Sequence, residues 1–257
     1  MDLDAYFDRI GWRGSCAPTL EVLGGILVRH MTAIPFENLD VLLGNPPRLE
    51  LGSLERKLVG ARRGGYCYEH ATLFAAVLRE LGFDVRTHSA RVTMMTPRSA
   101  APRTHMFLTV GNLGPVDLVL DPGFGGAAPR VPVPLDGTPA GAHRIMREGG
   151  EIVLEQAGQR LWMSSLEHDI PIDFEMANHF TATHPASHFT RMITMRVFDD
   201  AAEVRIRNRD VTLIKADESQ TYQLADRAEL RAVVAKHFGF DLPALEMICV
   251  PMIPEWQ

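Results

Sequence analysis

The sequence predicts an α+β protein in which helices come first, strands second and a mixed segment last. Three observations carry this reading. Apolar residues recur at helical spacing early in the chain, as at Leu20, Leu23, Leu27 and Met31. The period then switches to alternation, with Val85, Thr87 and Ser89 set against Arg86 and His88. Turn signals such as Gly149-Gly150 punctuate the middle third, and a cappable helix follows Asp226. Helices grouped before strands favour α+β over an alternating α/β order.

The first clear helix starts behind Pro18-Thr19. A second is expected from Ser53, a good N-cap, through Leu54, Leu58 and Val59. A third runs from Cys67 to Leu81 with Phe74, Val77, Leu78 and Leu81 on one face and Gly82 as its stop. Strands are expected at 85–89, 106–110 and 116–120, the last two joined by Gly111-Asn112-Leu113-Gly114-Pro115. A hairpin pairs 144–147 with 151–155, giving a small barrel or curled antiparallel sheet. A short helix is expected within 171–190, then strands at 193–198, 204–207 and 211–216. The last helix begins at Asp226, with Glu229 at capping-box spacing, and ends at Gly239. Boundaries are expected near Gly82 and within 190–200, dividing the chain into 1–83, 84–195 and 196–257.

Composition excludes several classes. Of 257 residues, 46% are hydrophobic and 23% charged, which rules out collagen-like and disordered chains. Every wholly apolar run is too short for a membrane span, and MDLDAYFDRI lacks the basic start of a secretory signal. A net charge of −6 with no basic face argues against nucleic acid as a partner. Three widely spaced cysteines, Cys16, Cys67 and Cys249, form neither a disulfide framework nor a zinc motif, so a reducing cytoplasm is expected.

The most informative stretch is Arg63-Gly64-Gly65-Tyr66-Cys67-Tyr68-Glu69. Two glycines turn the backbone into a helix, leaving Cys67 in its first turn, where free N–H groups favour a thiolate. The alternative is a small core thiol after a tight turn. A nucleophilic cysteine needs a base, and the base an orienter. His105 opens one strand and Asp121 closes the next. In an antiparallel hairpin those two ends meet, as an Asp-oriented imidazole requires. Taken singly, His105 could be structural and Asp121 a turn cap. The Cys–His–Asp order is the layout of transglutaminase-like and related cysteine enzymes.

These segments together resemble the arylamine N-acetyltransferases. RGGYCYE at 63–69 is similar to that family's active-cysteine motif, and Ile34-Pro35-Phe36-Glu37-Asn38-Leu39 to its N-terminal signature. Thr104-His105 and Asp121-Pro122-Gly123-Phe124-Gly125 match its His and Asp segments, and His184-Pro185-Ala186-Ser187-His188-Phe189 matches more weakly. Two departures stand out: Ala71 where the family often has Asn, and Pro122 where it often has Val. The resemblance implies a helical bundle, a β-barrel and an α/β lid around a cysteine-protease-like core. It implies a ping-pong transfer from acetyl-CoA to an aromatic amine or hydrazine. Cys67 would be the nucleophile, His105 its base and Asp121 the orienter.

Phe36, Phe124 and Tyr68 are candidates for an aromatic acceptor wall, with core packing as the alternative for each. Thr104, Gly125 and Gly126 are candidate contacts of CoA, since glycine lets backbone approach a ligand closely. Arg63 and Glu37 are expected to pair structurally. His184 and His188 are four apart, but Pro185 between them interrupts a helix, so no metal site is expected. The rivals are a cysteine hydrolase or thioesterase using water as acceptor, and a non-catalytic binding protein with Cys67 in its core.

Overall fold

The computed structural model describes residues 1–167, 169–198, 202–215 and 218–257. Helix α1 (Leu3–Ile10) escaped the sequence reading. Asp2 caps it by accepting from the Ala5 N–H, and Gly11 stops it at a φ of 66°. Helix α2 (Leu20–Ala33) starts behind Thr19, whose side chain caps it as expected. A short α3 (Leu39–Leu42) follows. The helix expected to begin at Ser53 begins earlier. Glu50 precedes α4 (Leu51–Leu54), which continues as a π-helix over Glu55–Gly60. Leu54 and Leu58 are buried there, so packing rather than a capping hydroxyl sets the start. Helix α5 (Cys67–Glu80) matches its expectation, and Gly82 follows at a φ of 85°.

A seven-stranded antiparallel sheet comes next, in the order β4-β3-β2-β1-β7-β6-β5. Its strands are β1 (Asp84–Val92), β2 (Arg103–Gly111), β3 (Leu118–Leu120), β4 (Val133–Pro134), β5 (His143–Glu148), β6 (Glu151–Gln156) and β7 (Gln159–Ser164). The sheet curls into a nearly closed barrel, packed inside with Phe107, Val119, Ile145, Leu154 and Trp162. Strand β3 is shorter than expected, while β7 was not anticipated. In the β2–β3 hairpin Leu108 faces Leu120 and Val110 faces Leu118.

Helix α6 (Pro171–Thr183) leads to β8 (Thr194–Phe198), β9 (Glu203–Arg207), β10 (Asp210–Lys215) and the unanticipated β11 (Glu218–Gln223). These four form a second sheet in the order β11-β10-β9-β8. Ala216, expected to end a strand, lies outside the described residues. Helix α7 (Arg227–Val233) starts where Asp226 accepts from the Glu229 N–H, and Gly239 follows its π-helical continuation at a φ of 77°. This sheet and the C-terminal turns share a core that includes Ile193, Val204, Leu230 and Trp256. No helix among the described residues is long and apolar enough to cross a membrane.

Two features position the site. Phe36 is a one-residue strand between Gly65 and Arg196. The Phe36 N–H donates to the Arg196 carbonyl at 2.8 Å, and the Arg196 N–H donates to the Phe36 carbonyl at 2.9 Å. A buried chain of hydrogen bonds then ties α1, α2 and α5 to the same segment. The Pro35 carbonyl can only accept, so His70 Nε2–H donates to it at 3.1 Å. His70 Nδ1 then accepts from His30 Nε2–H at 2.9 Å, and His30 Nδ1 from the Tyr6 hydroxyl at 2.8 Å. Burial keeps both rings neutral, pushing His70 down to about 4.

Candidate active site

Cys67 is the first residue of α5, and close backbone packing holds it there. The Gly65 N–H donates to the Pro35 carbonyl at 3.1 Å, and the Glu37 N–H to the Gly65 carbonyl at 2.9 Å. A Cβ on Gly64 would stand 2.1 Å from the Pro35 oxygen, so that position has no room for a side chain. Glu69 Oε2 accepts from the Tyr66 N–H at 3.1 Å, satisfying a donor just ahead of the helix.

The hairpin brings His105 and Asp121 together. Asp121 directly follows Leu120, which faces Leu108, so it lies one pleat along from His105 on the same face. His105 Nε2–H donates to Asp121 Oδ2 at 2.9 Å, with both side chains buried. His105 also bonds the Cys67 side chain, for which its remaining nitrogen, Nδ1, is available. Burial by itself pushes the imidazole down; Asp121 and Cys67 outweigh it and raise the ring to about 10. The three residues expected to act together therefore meet, and the ring carries its proton at neutral pH.

The glycine-rich loop after Asp121 closes over the cysteine. A Cβ on Gly123 would stand 2.6 Å from Cys67 Cα. The Phe124 ring meets His105 edge-on at 4.9 Å. The Gly125 α-carbon faces the Phe36 ring, and its carbonyl accepts from the Arg196 guanidinium. Phe36, His70, Pro122, Gly125, Arg196 and Phe198 line a cavity of about 10 Å³ that none of the three triad side chains enters, Pro122 being the residue next to Asp121. Phe124 thus stands against His105, whereas Phe36 faces this cavity and the Gly125 loop. Tyr68 does not line this cavity: it is wholly buried with its ring 5.7 Å from Tyr66, because the second position of α5 points into the helical core. The Thr104 carbonyl lies 3.9 Å from Cys67 Sγ, and Gly126 faces open space.

Arg63 and Glu37 pair at 2.6 Å, as expected, within a larger cluster. Arg63 also holds Asp40 at 2.6 Å, while Lys57 bridges Asp40 at 2.8 Å and Glu69 at 2.7 Å. Burial pushes Glu69 up to about 7; Lys57 opposes that, and Glu37 and Asp40 add to it. His184 and His188 part company: α6 ends at Thr183, His184 stacks on Phe180, and His188 meets the Phe189 ring at a tilt of 41°. No group of three or more His, Cys, Asp or Glu among the described residues could hold a metal ion.

Sequence reasoning missed Trp162, Arg196, Phe198, Asp40 and Lys57. Trp162 carried one usable signal, since a buried indole N–H needs an acceptor. The others touch the site through partners remote in sequence.

Comparison with known proteins agrees with this architecture. The N-acetyltransferase family model matches residues 19–247. The chain is 38% identical over 248 residues to the arylamine N-acetyltransferase of Escherichia coli (strain K12), covering 92% of this chain and 88% of that one. The solved structure of arylamine N-acetyltransferase from M. tuberculosis aligns with a TM-score of 0.87 at 36% identity, over 95% of this chain and 98% of that one. The Mycobacterium marinum arylamine N-acetyltransferase in complex with CoA aligns with a TM-score of 0.87 at 34% identity, over 95% and 94%. With matches of this extent added to the site's geometry, the chain belongs to the arylamine N-acetyltransferase family.

Proposed function

We propose that the protein moves an acetyl group from acetyl-CoA to the nitrogen of arylamines and arylhydrazines, through an acetyl group carried on Cys67. The observation that carries the proposal is the buried His105–Asp121 pair against a cysteine at a helix start. A ring that keeps its proton to about pH 10 is a fitting partner for a thiolate. The Cys67 thiolate attacks the thioester carbonyl, and CoA leaves with the proton from His105. The neutral amine then attacks acetyl-Cys67. His105 takes the amine proton as the thiolate departs, restoring the ion pair. Asp121 holds the ring in the productive tautomer throughout.

Phe36, Phe124 and Phe198 form the acceptor wall in this reading. Phe36 and Phe198 line a cavity of about 10 Å³, room for one water, and Phe124 covers His105, so an aromatic ring enters only when these side chains move apart. Thr104, Gly125 and Gly126 flank the approach of CoA, with Gly126 giving the open side. The three-part division 1–83, 84–195 and 196–257 belongs to the same proposal. Its last boundary is better drawn before Thr194, since β8 pairs with β9. A reducing cytoplasm would keep the Cys67 thiol available.

The test is intact mass after brief exposure to acetyl-CoA, with and without an arylamine. One acetyl group on Cys67 that persists in buffer and is lost on adding the amine is expected. An acetyl group lost in buffer alone would mark a thioesterase, and no acetyl group would refute the proposal.

A further inference from the structure

Trp162 has a partner that core packing alone does not call for. It lies on β7, facing Val92 of β1 and Leu154 of β6, with its indole wholly buried in the barrel. Stacking on Phe107 at 4.3 Å accounts for the ring but not for its N–H. That N–H donates to Asp121 Oδ2 at 2.8 Å, the oxygen that also accepts from His105 at 2.9 Å. Asp121 Oδ1 is buried and has no hydrogen-bond partner among the described residues. Both donors therefore converge on one oxygen of a carboxylate that burial isolates from water.

We propose that Trp162 is a positioning residue, which selects the Asp121 oxygen that His105 uses and fixes the plane of the carboxylate. A carboxylate held by one donor can turn about its Cβ–Cγ bond and exchange its oxygens. A second donor on the same oxygen, from a strand outside the β2–β3 hairpin, removes that freedom. Hydrogen bonds to a buried charge are the strong ones, so the restraint is substantial. The His105 ring then keeps Nδ1 aimed at Cys67. The titratable groups facing His105 are Asp121 and Cys67. His88 lies beyond Phe107, on which it stacks at 5.3 Å. The inference rests on the proposed roles of the triad.

The test compares alkylation of Cys67 by iodoacetamide at pH 7, read by peptide mass, in chains altered at position 162. Benzothienylalanine there keeps the shape and removes the donor; 5-fluorotryptophan keeps both. W162F also removes the donor but leaves a cavity at this buried position, so it is read beside the benzothienylalanine chain. The donor-free chains should alkylate Cys67 about tenfold more slowly than wild type, equivalent to about 1.4 kcal/mol. The 5-fluorotryptophan chain should match wild type. In a D121N background, removing the donor should slow the reaction no further, because the effect runs through Asp121. A benzothienylalanine chain that alkylates at the wild-type rate would overturn the inference, as would effects that multiply in the D121N background. A wild-type chain that takes up no acetyl group would instead sink the triad reading, and this inference with it.

Discussion

Gly123→Ala tests the site where its tolerance is smallest. The added Cβ would meet Cys67 Cα at 2.6 Å, its carbonyl oxygen at 3.0 Å and its carbonyl carbon at 3.2 Å. Favourable carbon contacts need about 3.5–4.0 Å, so the two backbones must separate by about 1 Å. No flexible side chain can absorb this, because all three atoms are backbone. Helix α5 is anchored by Phe74, Val77 and Leu78, all buried, so the loop yields instead. Asp121 lies two residues upstream and moves with it, carrying His105 away from Cys67. A misplacement of about 1 Å costs about 100-fold in rate, equivalent to about 2.7 kcal/mol. Overpacking also lowers stability by about 1–3 kcal/mol. Gly123 is not among the residues at positive φ, so alanine's backbone preference is not the cause. The assay is rapid-quench intact mass for Cys67 acetylation at saturating acetyl-CoA, with circular dichroism to verify folding. Gly114→Ala, with nothing within 4 Å of its added Cβ, is the control. A folded G123A protein acetylating within about threefold of wild type would refute the steric argument.

The ion cluster behind the nucleophile yields two further expectations. Arg63→Ala leaves Glu37 buried with the Leu39 N–H at 2.8 Å and, as its one cationic partner among the described residues, Lys57 at 4.0 Å. Breaking a buried pair costs about 3–5 kcal/mol, so urea unfolding should show a loss near the low end; wild-type stability would count against it. Glu69 is raised to about 7 in the folded state, above the carboxylate's unfolded value. The native state therefore binds more protons between the two values, and stability falls as pH rises through that window, by at most about 3.5 kcal/mol. Glu69→Gln should flatten the decline in urea midpoints between pH 5 and 8, and an unchanged slope would show that Glu69 is not its source.

Much of the site was legible because its signals are short-range. Thr19 and Asp226 cap their helices, and Gly82 and Gly239 end theirs, because a cap needs only a few neighbouring residues. The β2–β3 hairpin was equally readable, and with it the meeting of His105 and Asp121. Ser53 failed as a start signal because burial of Leu54 outweighed a hydroxyl's preference. Strands β7 and β11 were missed because their partners, rather than their own patterns, stabilise them.

The sequence by itself determined the triad's residues, the glycine turn before Cys67 and the helices-then-strands order. These depend on spacing, backbone permissiveness and alternation within contiguous stretches. Tertiary structure alone decided that Trp162 reaches Asp121, that Arg196 borders Phe36 and Gly125, and that Lys57 joins Glu69 to Asp40. It also decided that Tyr68 turns into the core while Phe124 meets His105. The physical reason is that such contacts join segments with no local preference for one another. They form only when burying the apolar faces of the bundle, barrel and second sheet brings those segments together, and the buried polar groups must then find whichever partners lie within reach.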